Sequence, residues 1–224
     1  KTNIIGNLIS ATADYNVTLK DWYTPDHNVE VVSVSTAADL QEAINNVQTG
    51  TEGNIKLEGN IDLGAIPGLM STKAESNPYG LIIPADKSLS IDLNGNTLSW
   101  TSSNQNNWMI ENHGTLSLVG AGNVVYNYAG ENDPAYGKGN YTIYNKGVLV
   151  IDGPTVSIKV EGQANNVKYP HALYVVQNAG KFTLESGKVE NYHNQAVRQW
   201  IGSETEATEI VVNGGEIYGL RAIW

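Results

Sequence analysis

The chain has 224 residues, 41% of them hydrophobic and 16% charged, with a formal net charge of −10 and no cysteine. That is enough apolar material for one domain core, but no run reaches the ~18 apolar residues of a membrane-spanning helix. The acidic balance argues against a nucleic-acid groove, which needs a basic stripe, and the missing cysteines exclude disulfides and thiolate zinc sites.

Residues 1–33 read as a leader, with strands near 16–23 and 29–34 that pack outside the main domain or pair with its edge. Lys1 opens like a mature or trimmed start. Residues 16–18 and 140–142 match glycosylation sequons, a short pattern that also arises by chance. A helix is expected over 36–48. Thr36 can cap its first turn and Asp39 sits near its positive end. Leu40, Ala43, Ile44 and Val47 fall on one face, and Gly50 lies just past its end. Strands follow at once. Residues 60–63 echo residues 90–93 at a step of 30.

Three segments then align without a gap, over 108–118, 141–151 and 174–184. Trp108, Tyr141 and Tyr174 open them; Asn112, Asn145 and Asn178 follow; then come Gly114, Gly147 and Gly180. The spacing is 33 residues each time. A fixed period of this kind signals stacked repeats. Alternating pairs (Leu116 and Leu118, Leu149 and Ile151, Phe182 and Leu184) indicate strands with one buried face. The Asn-x-Gly step suits a sharp corner in left-handed backbone. Gly120, Gly153 and Gly187 mark a second corner. The pattern extends to Leu89, 27 residues before Leu116, and to Ile210, 28 after Phe182. Such units stack as a parallel coil with rungs ~4.8 Å apart, about six in all. Asn112, Asn145 and Asn178 then form a column of amides bonded one to the next.

The entry over 34–63, a short helix running straight into the first strand, together with the asparagine column, resembles the pectin-lyase-like right-handed parallel β-helix superfamily. The resemblance covers about residues 34–224 and implies an all-β solenoid plugged by an N-terminal capping helix. It implies little about activity, because the superfamily holds lyases, hydrolases, esterases, adhesins and tailspikes. The Asp-rich and Gly-His-Gly sets of polygalacturonases and the Arg-x-Pro-x-x-Arg pattern of the lyases are absent from this chain.

Insertions at about 101–107, 127–140, 160–171 and 191–195 would project as neighbouring loops, where function tends to reside. They carry the candidates Tyr128, Glu131, Asp133, Tyr136, Lys138, Lys168, Tyr169, His171, Tyr192 and His193. Lys168, Tyr169, His171 and His193 could supply the base of a lyase or the group that neutralises a uronate carboxylate. Glu131 and Asp133 could be the carboxyl pair of a glycosidase. The plainer reading is a set of solvated loop residues. Trp108, Tyr141 and Tyr174 could form an outward strip for sugar rings, or shield the loops. Trp200 and Trp224 look equivalent. Arg198 and Arg221, 23 apart, then share a face, binding a carboxylate or pairing with Glu204, Glu206 and Glu209. No metal site is demanded; calcium could bind loop carboxylates and amides. The expectation is a secreted or surface-anchored bacterial β-helix, a non-catalytic adhesin or glycan-binding module, or alternatively a polysaccharide lyase or glycoside hydrolase. Residues 221–224 read as the opening of a further rung, as in a fragment whose end could contact another molecule.

Overall fold

The computed structural model describes residues 30–65, 80–103, 107–130, 139–161, 172–200 and 208–224. It is an all-β assembly in which every strand pairing is parallel. The strands are β1 (Val31–Val34), β2 (Glu52–Leu57), β3 (Ile61–Asp62), β4 (Leu81–Ile83), β5 (Ser88–Asp92), β6 (Thr97–Ser102), β7 (Trp108–Asn112), β8 (Thr115–Val119), β9 (Asn123–Tyr128), β10 (Asn140–Asn145), β11 (Val148–Val160), β12 (Leu173–Asn178), β13 (Lys181–Gln199), β14 (Glu209–Val212) and β15 (Glu216–Ile223). Among the described residues one α-helix, α1 (Ala37–Asn46), and a short 3-10 turn, Leu63–Ala65, interrupt them.

Pairing sorts the strands into three ladders. The side ladder runs β1, β2, β5, β8, the start of β11, the start of β13, then β14. The back ladder takes β3, β6, β9, the later half of β11, the middle of β13 and the start of β15. The front ladder takes β4, β7, β10, β12 and the ends of β13 and β15. Each ladder sends at least one column inward. Leu89, Leu116, Leu149 and Phe182 are paired in register on the side ladder. Val124, Val156 and Val189 do the same on the back ladder, and Ile110, Ile143, Val176 and Val197 on the front. All eleven are 0% exposed. Each contributes about 1.5–3 kcal/mol of burial.

The expected helix is present but shorter than 36–48. Thr36 and Asp39 form a reciprocal capping box, Asp39 N–H donating to Thr36 Oγ1 at 3.1 Å and Thr36 N–H to Asp39 Oδ2 at 3.2 Å. Leu40 and Ile44 reach 0% exposure in the core cluster. The helix stops at Asn46 because the chain turns extended at Val47. There the Lys87 amine donates to the carbonyls of Asn45 and Val47, a cation on the negative helix end. Nothing in the sequence had marked Lys87.

Several registers differ from the expected ones. Ile61 pairs with Leu98 on the back ladder, whereas Ile91 pairs with Ile55 on the side ladder, so 60–63 and 90–93 are not equivalent rungs. Val34, at the boundary drawn between leader and main domain, lies inside β1 and is 2% exposed. The rest of the leader, 1–29, lies outside the described residues. The sequon residue Asn140 is 0% exposed, and its Oδ1 accepts from Asn107 N–H, so it is no glycan acceptor in the folded chain.

The asparagine column forms as expected. Asn112 Nδ2 donates to Asn145 Oδ1 at 2.8 Å, and Asn145 Nδ2 to Asn178 Oδ1 at 2.7 Å. The three Nδ2 groups also donate, at 2.9 Å each, to the carbonyls of Val148, Lys181 and Glu209. The glycines beside it have another cause than the left-handed corner. Gly114, Gly147 and Gly180 are not among the positive-φ residues. A Cβ on Gly147 would instead strike the carbonyl oxygen of Gly114, and one on Gly180 that of Gly147. These glycines let rungs approach closely. True left-handed backbone occurs at the second corner, with φ of 72°, 120° and 88° at Gly120, Gly153 and Gly187.

Candidate functional site: the outer face of the front ladder

Strict alternation fails on four of the front strands, β7, β10, β12 and the end of β13. Met109 and Ile110, Thr142 and Ile143, Val175 and Val176, and Ala196 and Val197 are consecutive buried pairs. Thr142 is drawn inward by its hydroxyl, which donates to the Ser157 carbonyl at 2.9 Å. The break leaves the residues before and after each pair on the outer face. Two rows result. One runs Trp108, Tyr141, Tyr174, Gln195, Arg221; the other runs Glu111, Tyr144, Gln177, Arg198. Trp224 continues the second row, since its N–H donates to the Val197 carbonyl and its own carbonyl accepts from Gln199 N–H.

The rings form a continuous patch. Tyr141 and Tyr174 stack at 5.3 Å and 18°. Trp108 meets Tyr141 at 6.2 Å and the edge of Tyr144 at 4.6 Å. Trp108, Tyr141 and Tyr174 thus lie side by side, as their spacing predicts, but not as a flat strip. Neighbouring Tyr faces cover one another, which leaves ring edges and hydroxyl tips toward the outside. Burial pushes the Tyr141 hydroxyl up to about 12, partly offset by the Arg198 cation and its hydrogen bond.

The two ends of the face differ. At one end Glu111, only 5% exposed, accepts through Oε1 from His113 Nε2 at 3.0 Å and Lys146 Nζ at 3.1 Å. Lys146 also lies 4.9 Å from the Tyr144 ring centre. At the other end the Arg198 guanidinium sits 5.0 Å from Tyr174, 5.0 Å from Trp200 and 5.6 Å from Trp224. Trp200 and Trp224 are 45% and 59% exposed. Arg198 was expected to match Arg221. The register sets Arg221 beside Gln195 and Trp224 beside Arg198, because the corner between the back and front ladders takes the chain from Asn191 to Gln195 in β13 but only from Gly219 to Arg221 in β15. Among the described residues Arg198 has no carboxylate partner, Glu209 included; Glu204 and Glu206 lie outside them.

The loop cluster fares unevenly. Glu131, Asp133, Tyr136, Lys138, Lys168, Tyr169 and His171 lie outside the described residues. Tyr128 is no loop residue but the end of β9, 1% exposed in the core. Residues 191–195 do not project either. They stay within β13, where the buried Asn191 amide donates to the carbonyls of Leu173 and Gln195 at 2.9 and 2.7 Å. Its Oδ1 accepts the His193 and Asn194 N–H groups, and His193 is held at 2% exposure. Tyr192 lies on the back ladder against Tyr218 at 5.0 Å, its hydroxyl donating to Glu190 at 3.2 Å. Among the described residues no group of three or more His, Asp or Glu is placed to hold a metal ion, and no helix is long and apolar enough to cross a membrane.

Sequence reasoning missed Glu111, Tyr144, Gln177 and Gln195. Only the period could have found three of them: 111, 144 and 177 are also 33 apart, but their residue types change at each step. As a class, the molecule is an all-β protein of parallel strands whose pairings are those of a solenoid. The chain matches no protein-family model, no curated protein and no solved structure.

Proposed function

We propose that this chain is a secreted or cell-surface module, a right-handed parallel β-helix of the pectin-lyase-like type with about six coils. Its function on this reading is non-catalytic: it binds carbohydrate, as a bacterial adhesin or glycan-binding rod does. The observation that supports this is the front face itself. It sets Trp108, Tyr141, Tyr144 and Tyr174 in mutual contact and ends on two Trp side chains, 45% and 59% exposed, around Arg198. Ring edges with polar tips, next to exposed indoles, suit a ligand that is apolar on one side and hydroxylated on the other. A glycan array on the intact chain, run with and without calcium, tests the reading. Binding that Trp200→Ala and Trp224→Ala abolish together is the expected result; absence of any glycan signal removes it.

A second reading, a lyase or glycoside hydrolase, is favoured by one specific cluster. Glu111 is a nearly buried carboxylate held by an imidazole and an ammonium beside aromatic rings, residue types from which acid–base sites are built. Reducing-sugar release and ultraviolet detection of unsaturated products test it. Turnover lost in Glu111→Gln would replace the binding-only reading.

A further inference from the structure

The front face carries a local excess of unsatisfied polar atoms. Gln177 and Gln195 are 4% and 5% exposed, yet neither Oε1 has a hydrogen-bond partner. Arg198 Nε is likewise buried and unpaired. The three are not scattered. Gln177 is the register neighbour of Arg198 on the adjoining strand, and Gln195 is the neighbour of Tyr174, whose ring lies against the guanidinium. Buried donors and acceptors are almost always bonded, because leaving one empty costs about 1–3 kcal/mol. Three together, on a face lined by rings, call for a missing partner.

We infer that Gln177, Gln195 and Arg198 form a subsite for adjacent hydroxyl groups of a neutral sugar. The inference rests on the carbohydrate-binding reading and specifies its ligand. The chemistry follows from the mixture of groups. Each glutamine amide offers one donor side and one acceptor side, whichever way it is turned. Arg198 offers donors only: one meets the Tyr141 hydroxyl, the rings of Tyr174, Trp200 and Trp224 pack around the guanidinium, and the buried Nε–H is left without a partner among the described residues. A carboxylate or sulfate could satisfy Arg198 but has no proton to give, so it leaves the acceptor side of each glutamine amide unmet. A hydroxyl accepts from the guanidinium and donates to an amide at once. Two adjacent hydroxyls, one toward each glutamine, would use all three side chains. The formal charge of −10 points the same way, since it opposes polyanions at long range.

The test is affinity measured by titration calorimetry with oligosaccharides of glucose, galactose and mannose, against uronate and sulfated oligosaccharides of matched length. Neutral ligands are expected to bind, and binding is expected to change little with salt. Gln177→Leu with Gln195→Leu should weaken it about tenfold or more, and Arg198→Lys, which keeps the charge but loses the fork, by a similar factor. Tyr192→Phe, on the back ladder, should leave it unchanged. Thermal melts identify any variant that fails to fold. The Arg198 Nε–H resonance of the wild-type chain, expected to shift on titration with the neutral sugar that binds, needs no variant at all. Tighter, salt-sensitive binding of the anionic ligands would overturn the neutral assignment and leave the carbohydrate reading standing. Neutral binding unaffected in the double variant, with a motionless Arg198 signal, would move the subsite elsewhere. No binding of either class would end both.

Discussion

The asparagine column and the ring rows climb the same three rungs at the same spacing, the rows four residues and one residue before the asparagine along each strand, yet they are satisfied differently. In the column, neighbouring amides bond to one another and each Nδ2 is anchored on a backbone carbonyl as well. On the outer face, rings stack, but the rows run out into Gln177, Gln195 and Arg198, which hold unpaired buried atoms. A repeat can thus serve two ends. Where every step carries the same residue, bonds close on themselves and contribute stability. Where the residue changes from step to step, groups are left over for something outside the chain.

The largest break in this comparison should come from the column's centre. Asn145→Ala removes a side chain that links both neighbours, and is expected to cost about 3 kcal/mol in denaturant unfolding. Asn112→Ala should cost less, because Asn112 Oδ1 already lacks a partner. Equal losses at the two positions would show that the amides act singly. Gly147→Ala comes next, at about 2 kcal/mol, since its methyl must displace the Gly114 carbonyl. A wild-type melting temperature in that variant would contradict the close approach of rungs.

The ring rows sharpen the contrast through pH. Tyr141 is held neutral up to about 12, against ~10 in an unfolded chain. Between those values the unfolded chain has lost a proton that the folded one keeps, so stability falls as pH rises, by about 1 kcal/mol at pH 11 from this group. Below pH 10 the effect vanishes. Tyr141→Phe should lessen the fall, leaving whatever the buried Tyr126 hydroxyl, also raised, contributes. A parallel pH–stability curve for the variant would place the Tyr141 hydroxyl in solvent. Smallest of all, Arg198→Gln should cost about 0.5–1 kcal/mol, because it removes the cation from the Tyr174, Trp200 and Trp224 rings but breaks no ion pair among the described residues. A large loss there would make Arg198 a structural group.

These contrasts mirror what could be read in advance. The side strands, the helix cap and the asparagine column were legible because each rests on a repeated residue or a local signal: Leu116, Leu149 and Phe182; Thr36 with Asp39; Asn112, Asn145 and Asn178. The glycine beside each asparagine was located correctly but for the wrong reason, since a close approach between rungs leaves no trace distinct from a left-handed turn. The outer face was half legible. Trp108, Tyr141 and Tyr174 announced one row, whereas Glu111, Tyr144 and Gln177 share a position without sharing chemistry. Arg198 was set against the wrong residue because the length of a corner is a property of the folded path, fixed here by Asn191, and not of strand composition. Lys87 on the helix end was invisible for a similar reason: it lies 40 residues from the carbonyl it meets.

The asparagine column also has a direction. Asn112 donates to Asn145, Asn145 to Asn178, and Asn178 to the Glu209 carbonyl, always toward the C-terminal rungs. Aligned amide dipoles polarise one another, so the bare oxygen of Asn112 is the negative pole of a small wire. Turning one amide over would set two oxygens or two NH2 groups face to face, so the three can reverse only as a unit. The carbonyls of Val148, Lys181 and Glu209 hold them in one sense, and through them the backbone of each rung fixes the polarity of the rung before it.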